Sequence, residues 1–443
     1  MLLCISDGPP ALLTVPSIAM EPEKDRYLMP DAVTHWNDVL LDVIRDVGGS
    51  PCPIARAGAM MHGAIYDAVN SIVDTHEPYL VKVRANPNAS LEAAIAYAAH
   101  DTLVAAFPST KVDLAVERDD AISALTSGAA SIAAGKAVGL DAAAAMVQAR
   151  ENDGADDNTP YGHGTAPGDW RPTDGAPAAS PNWPKVKPFC MDSGSQFRAP
   201  RPGGYRSKTE MLRSPEYIAQ VNEVKSLGQD NSVTRTPEQT EIAFFWANDL
   251  DKTYKPPGQL FEITKIVSEQ RGLDVVENAR LFALVALAMG DAAVVAWDAK
   301  YSRDLDLWRP ESAIQLAATT GNPAPMADPT WKPLSQRTDG TRFSPPFPAY
   351  VSGHATFAAA HAGIMRRFFG TDNVSFIATT EDPNPAAQGV TRAFNSFTEA
   401  ARENARSRVY LGVHFQWDAD HGFHSGNALS EHIYATCLRR LAA

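Results

Sequence analysis

Between residues 151 and 204 the chain gives up helical periodicity. The stretch "DGADDNTPYGHGTAPGDWRPTDGAPAASPNWPKVKPF" is dense in Pro, Gly, Asp and Asn, the residues that break helices and build turns. Before it, "HWNDVLLDVIRDVGG" sets Trp36, Leu40, Val43 and Val47 at helical spacing and stops at paired glycines. "PIARAGAMMHGAIYDAVNSIV" begins with proline and "SLEAAIAYAAHDTLVAAF" begins with a serine cap. After it, "TPEQTEIAFFWANDL" opens with Thr236 as cap, Pro237 at the first helical position and Gln239 completing a capping box. Alternating β-branched runs with tight turns are nearly absent. These signals predict an all-α chain of two four-helix-type bundles joined by a long Pro/Gly-rich loop. The expected boundaries are an irregular segment over 1–30, a helical bundle over 31–150, an irregular connection over 151–235 and a second bundle over 236–443. A connection this long is a functional cover, a packed loop or disordered. Trp170, Trp183 and Phe189 point to packing, over the second half.

Composition narrows the partners. The 443 residues carry a net charge of −13. That excludes a nucleic-acid binder and a binder of anionic membranes, and makes any local basic pocket a placed feature. No 18-residue apolar stretch free of charges stands out, so no membrane span is expected. The four cysteines, Cys4, Cys52, Cys190 and Cys437, are far apart and form no CxxC pair, which argues against a thiolate metal site and a disulfide framework. The first twenty residues lack a basic region and are broken by prolines, which favours the cytoplasm over secretion. A homodimer stays open.

Three stretches in the second half carry chemistry: "WDAKYSRDLDLWRP" with Lys300 and Arg309, "FPAYVSGH" with Ser352, Gly353 and His354, and "SRVYLGVHFQWD" with Arg408, His414 and Asp418. Singly, each has a plainer reading. Lys300 and Arg309 would be a solvated helix end paired with Asp304 or Asp306, Arg408 a surface arginine beside Glu403, and His354 a capping residue. Together, three converging cations need an anion of two or more charges, and guanidinium forks suit tetrahedral oxyanions. Ser352 and Gly353 stand at a helix start, where free N–H groups and the helix dipole favour negative charge. Two histidines can divide the work, one binding a central atom and one moving protons. Asp418, four residues from His414 and on the same face if helical, would fix its tautomer.

That ordered set, K…RP, SGH and SRxxxGxHxxxD, resembles the phosphatidic-acid-phosphatase type 2 and haloperoxidase superfamily, and within it the vanadium chloroperoxidases. The resemblance covers roughly residues 236–425 by motif, and more diffusely 31–110. It implies a vanadium-dependent haloperoxidase that uses hydrogen peroxide to oxidise chloride or bromide and halogenates a small organic substrate. Its cofactor would be vanadate, with phosphate able to take the same place. It implies that Lys300, Arg309, Ser352, Gly353 and Arg408 hold the oxyanion, that His414 is the ligand to vanadium and that His354 handles protons. It further implies that Lys300 polarises peroxide, that Trp297 and Phe347 line the halide site and that Asp249 pairs with Arg408. Two departures stand out. Val351 replaces the family's proline before SGH, and Lys300 and Arg309 are nine residues apart where the family has seven or eight. Either a bulge absorbs the excess, or Arg303 takes the place of Lys300, or the site is degraded. The competing functions are a phosphatase with His414 as nucleophile, Asp418 behind it and His354 protonating the leaving group, and a non-catalytic oxyanion binder.

Overall fold

The computed structural model describes residues 31–324 and 326–442; the expected irregular segment over 1–30, with Cys4, lies outside the described residues. The architecture is all-α, with two short strands among the described residues. The first helices are α1 (Ala32–Val47), α2 (Pro51–Val73), α3 (Leu91–Ala106), α4 (Lys111–Ser123) and α5 (Ala129–Arg150). The capping signals act as the sequence suggests. Ser90 Oγ accepts from Ala93 N at the head of α3, and Pro51 occupies the first position of α2.

The connection is not irregular throughout. It contains α6 (Lys208–Leu212) and α7 (Pro215–Leu227), both capped by serines whose hydroxyls accept from backbone N–H groups, Ser207 from Glu210 and Ser214 from Tyr217. Helix α6 is five residues long, but α7 is thirteen, with Pro215 at its first position and Tyr217, Val221 and Val224 on its buried face, a helical signal that the expected irregular connection overlooks. The non-helical part lies over the second half, as expected. Trp170 N donates to Asp306 O (2.9 Å), Trp308 N to Gly168 O (3.0 Å) and Ala179 N to Pro346 O (2.8 Å).

There follow α8 (Pro237–Phe245), α9 (Lys255–Arg271), α10 (Val275–Tyr301), α11 (Pro310–Gln315), α12 (Gly353–Phe368), α13 (Phe397–Tyr410) and α14 (Gln416–Thr436). The hairpin of β1 (Phe376–Ala378) and β2 (Arg392–Phe394) pairs Phe376 with Phe394. Thr236 and Gln239 form the capping box of α8.

The central element is α10. It is apolar on all sides, and a helix of that kind must be buried all round. It packs on α2 from the first half and on α12 and α14 from the second, so one continuous core runs through both. Both α5 and α10 are long and apolar enough to cross a membrane; most of α10's apolar surface lies in this core, whereas α5 is only partly covered. Asp291, midway along α10, accepts from the backbone N–H groups of Phe189 (2.6 Å) and Cys190 (2.7 Å), which anchors the connection to the core. Close contact between α12 and α14 fixes the start of α12. A Cβ on Gly426 would lie 2.2 Å from the Thr356 carbonyl oxygen, and one on Gly422 would lie 2.7 Å from that of Ser352. Without those two glycines the helices could not meet at this distance.

Candidate functional site

Six helix ends converge on one small cavity. Trp297 and Lys300 come from the last turn of α10, Arg309 from the cap of α11, and Ser352, Gly353 and His354 from the head of α12. Arg408 lies in the last turn of α13, His414 just before α14, Asp418 in its first turn and Asp249 in the turn after α8. Helix ends carry the unpaired backbone groups, so polar side chains placed there find backbone donors and acceptors. Asp249, Trp297, Phe347, Gly353, His354, Arg408 and His414 all line the cavity.

Lys300, Arg309 and Arg408 are buried, at 0%, 0% and 1% exposure. The plainer readings of these residues are therefore wrong. Asp306 is paired with Lys208, and Glu403 with Arg392. Arg309 donates from Nε to Phe347 O (2.7 Å) and from Nη1 to Val413 O (2.8 Å) and His414 Nε2 (3.0 Å). Arg408 Nη2 donates to Asp249 Oδ2 (2.8 Å). Three guanidinium nitrogens, Arg309 Nη2 and Arg408 Nε and Nη1, are buried with no hydrogen-bond partner among the described residues. Unmet donors on cations are costly in a protein interior unless an anion meets them. Burial, then repulsion from Arg408, pulls the Arg309 guanidinium down to about 9 against the pull of Asp418 and Asp249.

The length between Lys300 and Arg309 is absorbed by a tight turn. Helix α10 ends at Tyr301, and the N–H groups of Leu305 and Asp306 both donate to Ser302 O, at 2.7 and 2.8 Å. Arg303 is exposed, with its guanidinium 5.7 Å from the Tyr161 ring, so it is not in the site. Lys300 is in the site, but not as a free donor. Its ammonium donates to the carbonyls of Pro348 (2.9 Å), Ala349 (3.2 Å) and Val351 (2.6 Å). An ammonium has three N–H bonds, and all three are engaged. Burial, then Arg309, pulls its pKa well below the ordinary lysine value. Lys300 thus ties down the segment that leads into Ser352.

The histidines differ. His414 Nδ1 lies 3.1 Å from Asp418 Oδ2, and its Nε2 faces Arg309. Arginine only donates, so the Nε2 lone pair accepts from Arg309 Nη1 and the ring proton sits on Nδ1. Burial, followed by Arg309, Lys300 and Arg408, holds this ring neutral. Asp418 does not act from a shared helical face, because His414 precedes the helix. Asp418 reaches back from the first turn and also accepts from Phe415 N (3.1 Å). Burial pushes its carboxyl up to about 7, against the N–H of Phe415, Lys300 and Arg309. His354 Nε2 donates to the carbonyls of Trp246 (3.1 Å) and Ala247 (3.3 Å). Burial, then Arg408, pulls it down to about 3. Burial alone would push the Asp249 carboxyl up, but Arg408, His354 and Lys255 bring it below the usual range.

Ser352 N donates to Asp418 O (2.9 Å), and Ser352 Oγ accepts from Ala355 N (3.4 Å), which leaves the hydroxyl proton to donate. Trp297 and Phe347 pack with ring centroids 4.9 Å apart, and the Lys300 ammonium lies 5.5 and 4.9 Å from the two rings. Among the described residues no cluster of three or more His, Cys, Asp or Glu could hold a bare cation. The donors suit an oxyanion, and vanadate and phosphate both fit them.

Residues 280–442 match the family model of the VCPO second helical-bundle domain. Vanadium chloroperoxidase of Curvularia inaequalis is 30% identical over 300 residues, which cover 54% of this chain and 48% of that protein. The chain thus spans about half the length of this curated relative. The first bacterial vanadium-dependent iodoperoxidase of known structure aligns with a TM-score of 0.77 at 25% identity, over 93% of this chain and 97% of that one. Over the matched residues the chain is similar to vanadium haloperoxidases. The fold is shared further with a holo-type bacterial vanadium-dependent chloroperoxidase, with a TM-score of 0.69 at 18% identity, over 89% of this chain and 93% of that one.

Sequence reading missed part of this cavity. Pro51, at the head of α2, lines it, so the first half of the chain supplies a wall. Pro256, Pro345 and Phe357 also line it, and nothing in their local sequence sets them apart from core or turn residues. Asp382 lies close enough for Asp249 and Arg408 to affect its ionisation; burial, then Asp249, raises it to about 6. It comes from "DPNP", which reads only as a turn.

Proposed function

We propose that the protein is a vanadate-dependent haloperoxidase, which uses hydrogen peroxide to oxidise a halide and thereby halogenates an organic molecule. The observation that carries this reading is the set of three unpartnered guanidinium nitrogens on Arg309 and Arg408 beside His414, whose Nε2 accepts from Arg309 Nη1 and would have to exchange that hydrogen bond for a ligand bond. Bound vanadate would supply a Lewis-acidic centre that makes peroxide electrophilic toward halide. Arg309 and Arg408 would hold its oxygens, with the Ser352 hydroxyl and the Gly353 N–H at the head of α12. His414 Nε2 would be the ligand to vanadium, with Asp418 fixing its tautomer.

Oxidising one halide ion to hypohalous acid consumes one proton. His354 is the group to move it through Nδ1, since Nε2–H is held by the Trp246 and Ala247 carbonyls. Asp249 keeps Arg408 oriented. Lys300 supplies positive charge and holds the segment before Ser352, and would need to release a carbonyl to touch peroxide. Trp297 and Phe347 form the apolar wall for the halide, which is chloride, bromide or iodide.

The test is turnover. Protein incubated with orthovanadate should brominate phenol red in the presence of bromide and peroxide, and form triiodide from iodide. Absence of both from mildly acidic to neutral pH would sink the proposal. The same seat suits phosphate, so the competing reading is a phosphatase with His414 as nucleophile. Hydrolysis of p-nitrophenyl phosphate by vanadate-free protein, lost in His414→Ala, would favour that reading.

A further inference from the structure

A hollow larger than the anion seat adjoins this cavity. It has a volume of about 460 Å³ and is walled by the connection after α5, from Gly154 to Trp183, with Pro53 of α2. That size is in the range of small-molecule sites. Its walls include Tyr161, Trp170 and Trp183 and five prolines. Proline rings fix the backbone, so a hollow built from them keeps its shape without a guest. Among the described residues that line it, Asp157 alone carries a permanent charge, and its carboxylate lies 3.4 Å from the Lys185 ammonium. Such a lining offers an ionic guest little and a flat neutral ring a good deal. The Trp183 ring lines the hollow, and its Nε1 is buried in the wall with no hydrogen-bond partner among the described residues.

The hollow backs directly onto the anion cavity. Ala178 and Ser180 line the hollow, and the Ala179 carbonyl between them accepts from Trp297 Nε1 (3.2 Å) and Tyr301 Oη (2.8 Å). Trp297 is a wall of the anion cavity. Ser180 Oγ and Ser50 Oγ lie 2.9 Å apart, and Pro51 lines one space while Pro53 lines the other. The two spaces thus adjoin through the Ala179–Trp297 contact and the first turn of α2.

We propose that this hollow binds the organic acceptor, a neutral, electron-rich aromatic molecule of the phenol class, beside the oxyanion seat. The chemical class rests on the haloperoxidase reading; the site rests on the hollow. Peroxide, halide and one proton give hypohalous acid and water, with the halide losing two electrons and the O–O bond accepting them. A ring carbon then takes the halogen, and the displaced ring proton leaves with hydroxide as water.

The experiment begins with vanadate-free protein and phenol as probe. Saturation-transfer NMR should show saturable binding, weakened about tenfold or more by Ala176→Trp, which fills the hollow from its loop wall. Trp183→Phe, which removes the indole N–H and keeps an aromatic ring, should weaken binding more mildly. With vanadate bound, both variants should raise the KM for phenol bromination and leave triiodide formation, which needs no organic guest, unchanged. No saturable binding, or binding that neither variant alters, would overturn the proposal. Saturable binding that responds to the variants in a protein that never oxidises iodide would uphold the hollow as a phenol site and reject the haloperoxidase reading.

Discussion

Arg150 at the end of α5 and Arg408 at the end of α13 are both buried, with 3% and 1% exposure. Around Arg150 the fold supplies acceptors to both terminal nitrogens, and among the described residues its Nε alone lacks one. Its Nη1 and Nη2 donate to the carbonyls of Lys187 and Pro188 and to Tyr79 Oη, its guanidinium stacks 3.6 Å from the Phe189 ring, and Asp153 lies alongside. Around Arg408 the described residues supply one carboxylate, two further cations and no acceptor for Nε or Nη1. Burial of an arginine is therefore no sign of function. The informative quantity is the excess of donors and positive charge over what the protein itself satisfies.

The comparison can be broken most severely at Arg150. Arg150→Ala leaves Asp153 buried beside Arg56 and empties the Phe189 stack, and should cost about 3–5 kcal/mol of stability by urea denaturation. Phosphate or vanadate affinity per folded molecule should not change. Equal loss of anion binding would show that the two clusters are not separable.

At Arg408 the pattern should invert. Arg408→Ala should lower haloperoxidase turnover about 10²–10³-fold, as loss of one preorganised donor does. The anion-free protein should keep its Tm nearly unchanged, because relief of repulsion with Lys300 and Arg309 offsets the lost pair with the partly exposed Asp249. A large fall in Tm with turnover intact would make Arg408 a structural arginine like Arg150.

The smallest effect concerns His354 and His62. Both are pulled down to about 3, but His62 by burial alone, between Phe261 and Phe282, and His354 by burial together with Arg408. A bound phosphate brings negative charge to the second ring only. The His354 pKa should rise by about 1–3 units in histidine NMR titrations, and that of His62 should stay put. The sign follows from linkage. A higher pKa in the bound state means that binding takes up a proton, so affinity should strengthen as pH falls through the bound-state pKa toward the free-state value of about 3. Equal movement of both rings would point to a global change and not to an anion at the site.

Much of this is legible in the amino-acid sequence. Thr236, Pro237 and Gln239 announce α8, and the Ser352-Gly353-His354 tripeptide announces the head of α12, because capping is local chemistry. Lys300, Arg309 and Arg408 are legible as a set through their order and residue type. The sequence misleads where partners come from afar. The His414–Asp418 spacing suggests one helical face, whereas His414 stands outside the helix and Asp418 reaches back to it. Helix α6 is too short to show a period, whereas α7, with its Ser214 cap and Pro215, is legible but falls inside the expected irregular connection.

The sequence by itself determined the helices, their caps and the inventory of cations and histidines, since each depends on residues within a turn or two of one another. Only the tertiary structure decided which groups are satisfied. It turned all three donors of Lys300 onto backbone carbonyls some fifty residues away, directed Arg303 to Tyr161 and left Arg309 and Arg408 with unmet donors. It also brought Pro51 of α2 into the cavity wall. Hydrogen-bond satisfaction is a property of the packed neighbourhood, and that neighbourhood is assembled from six helix ends that no local pattern connects.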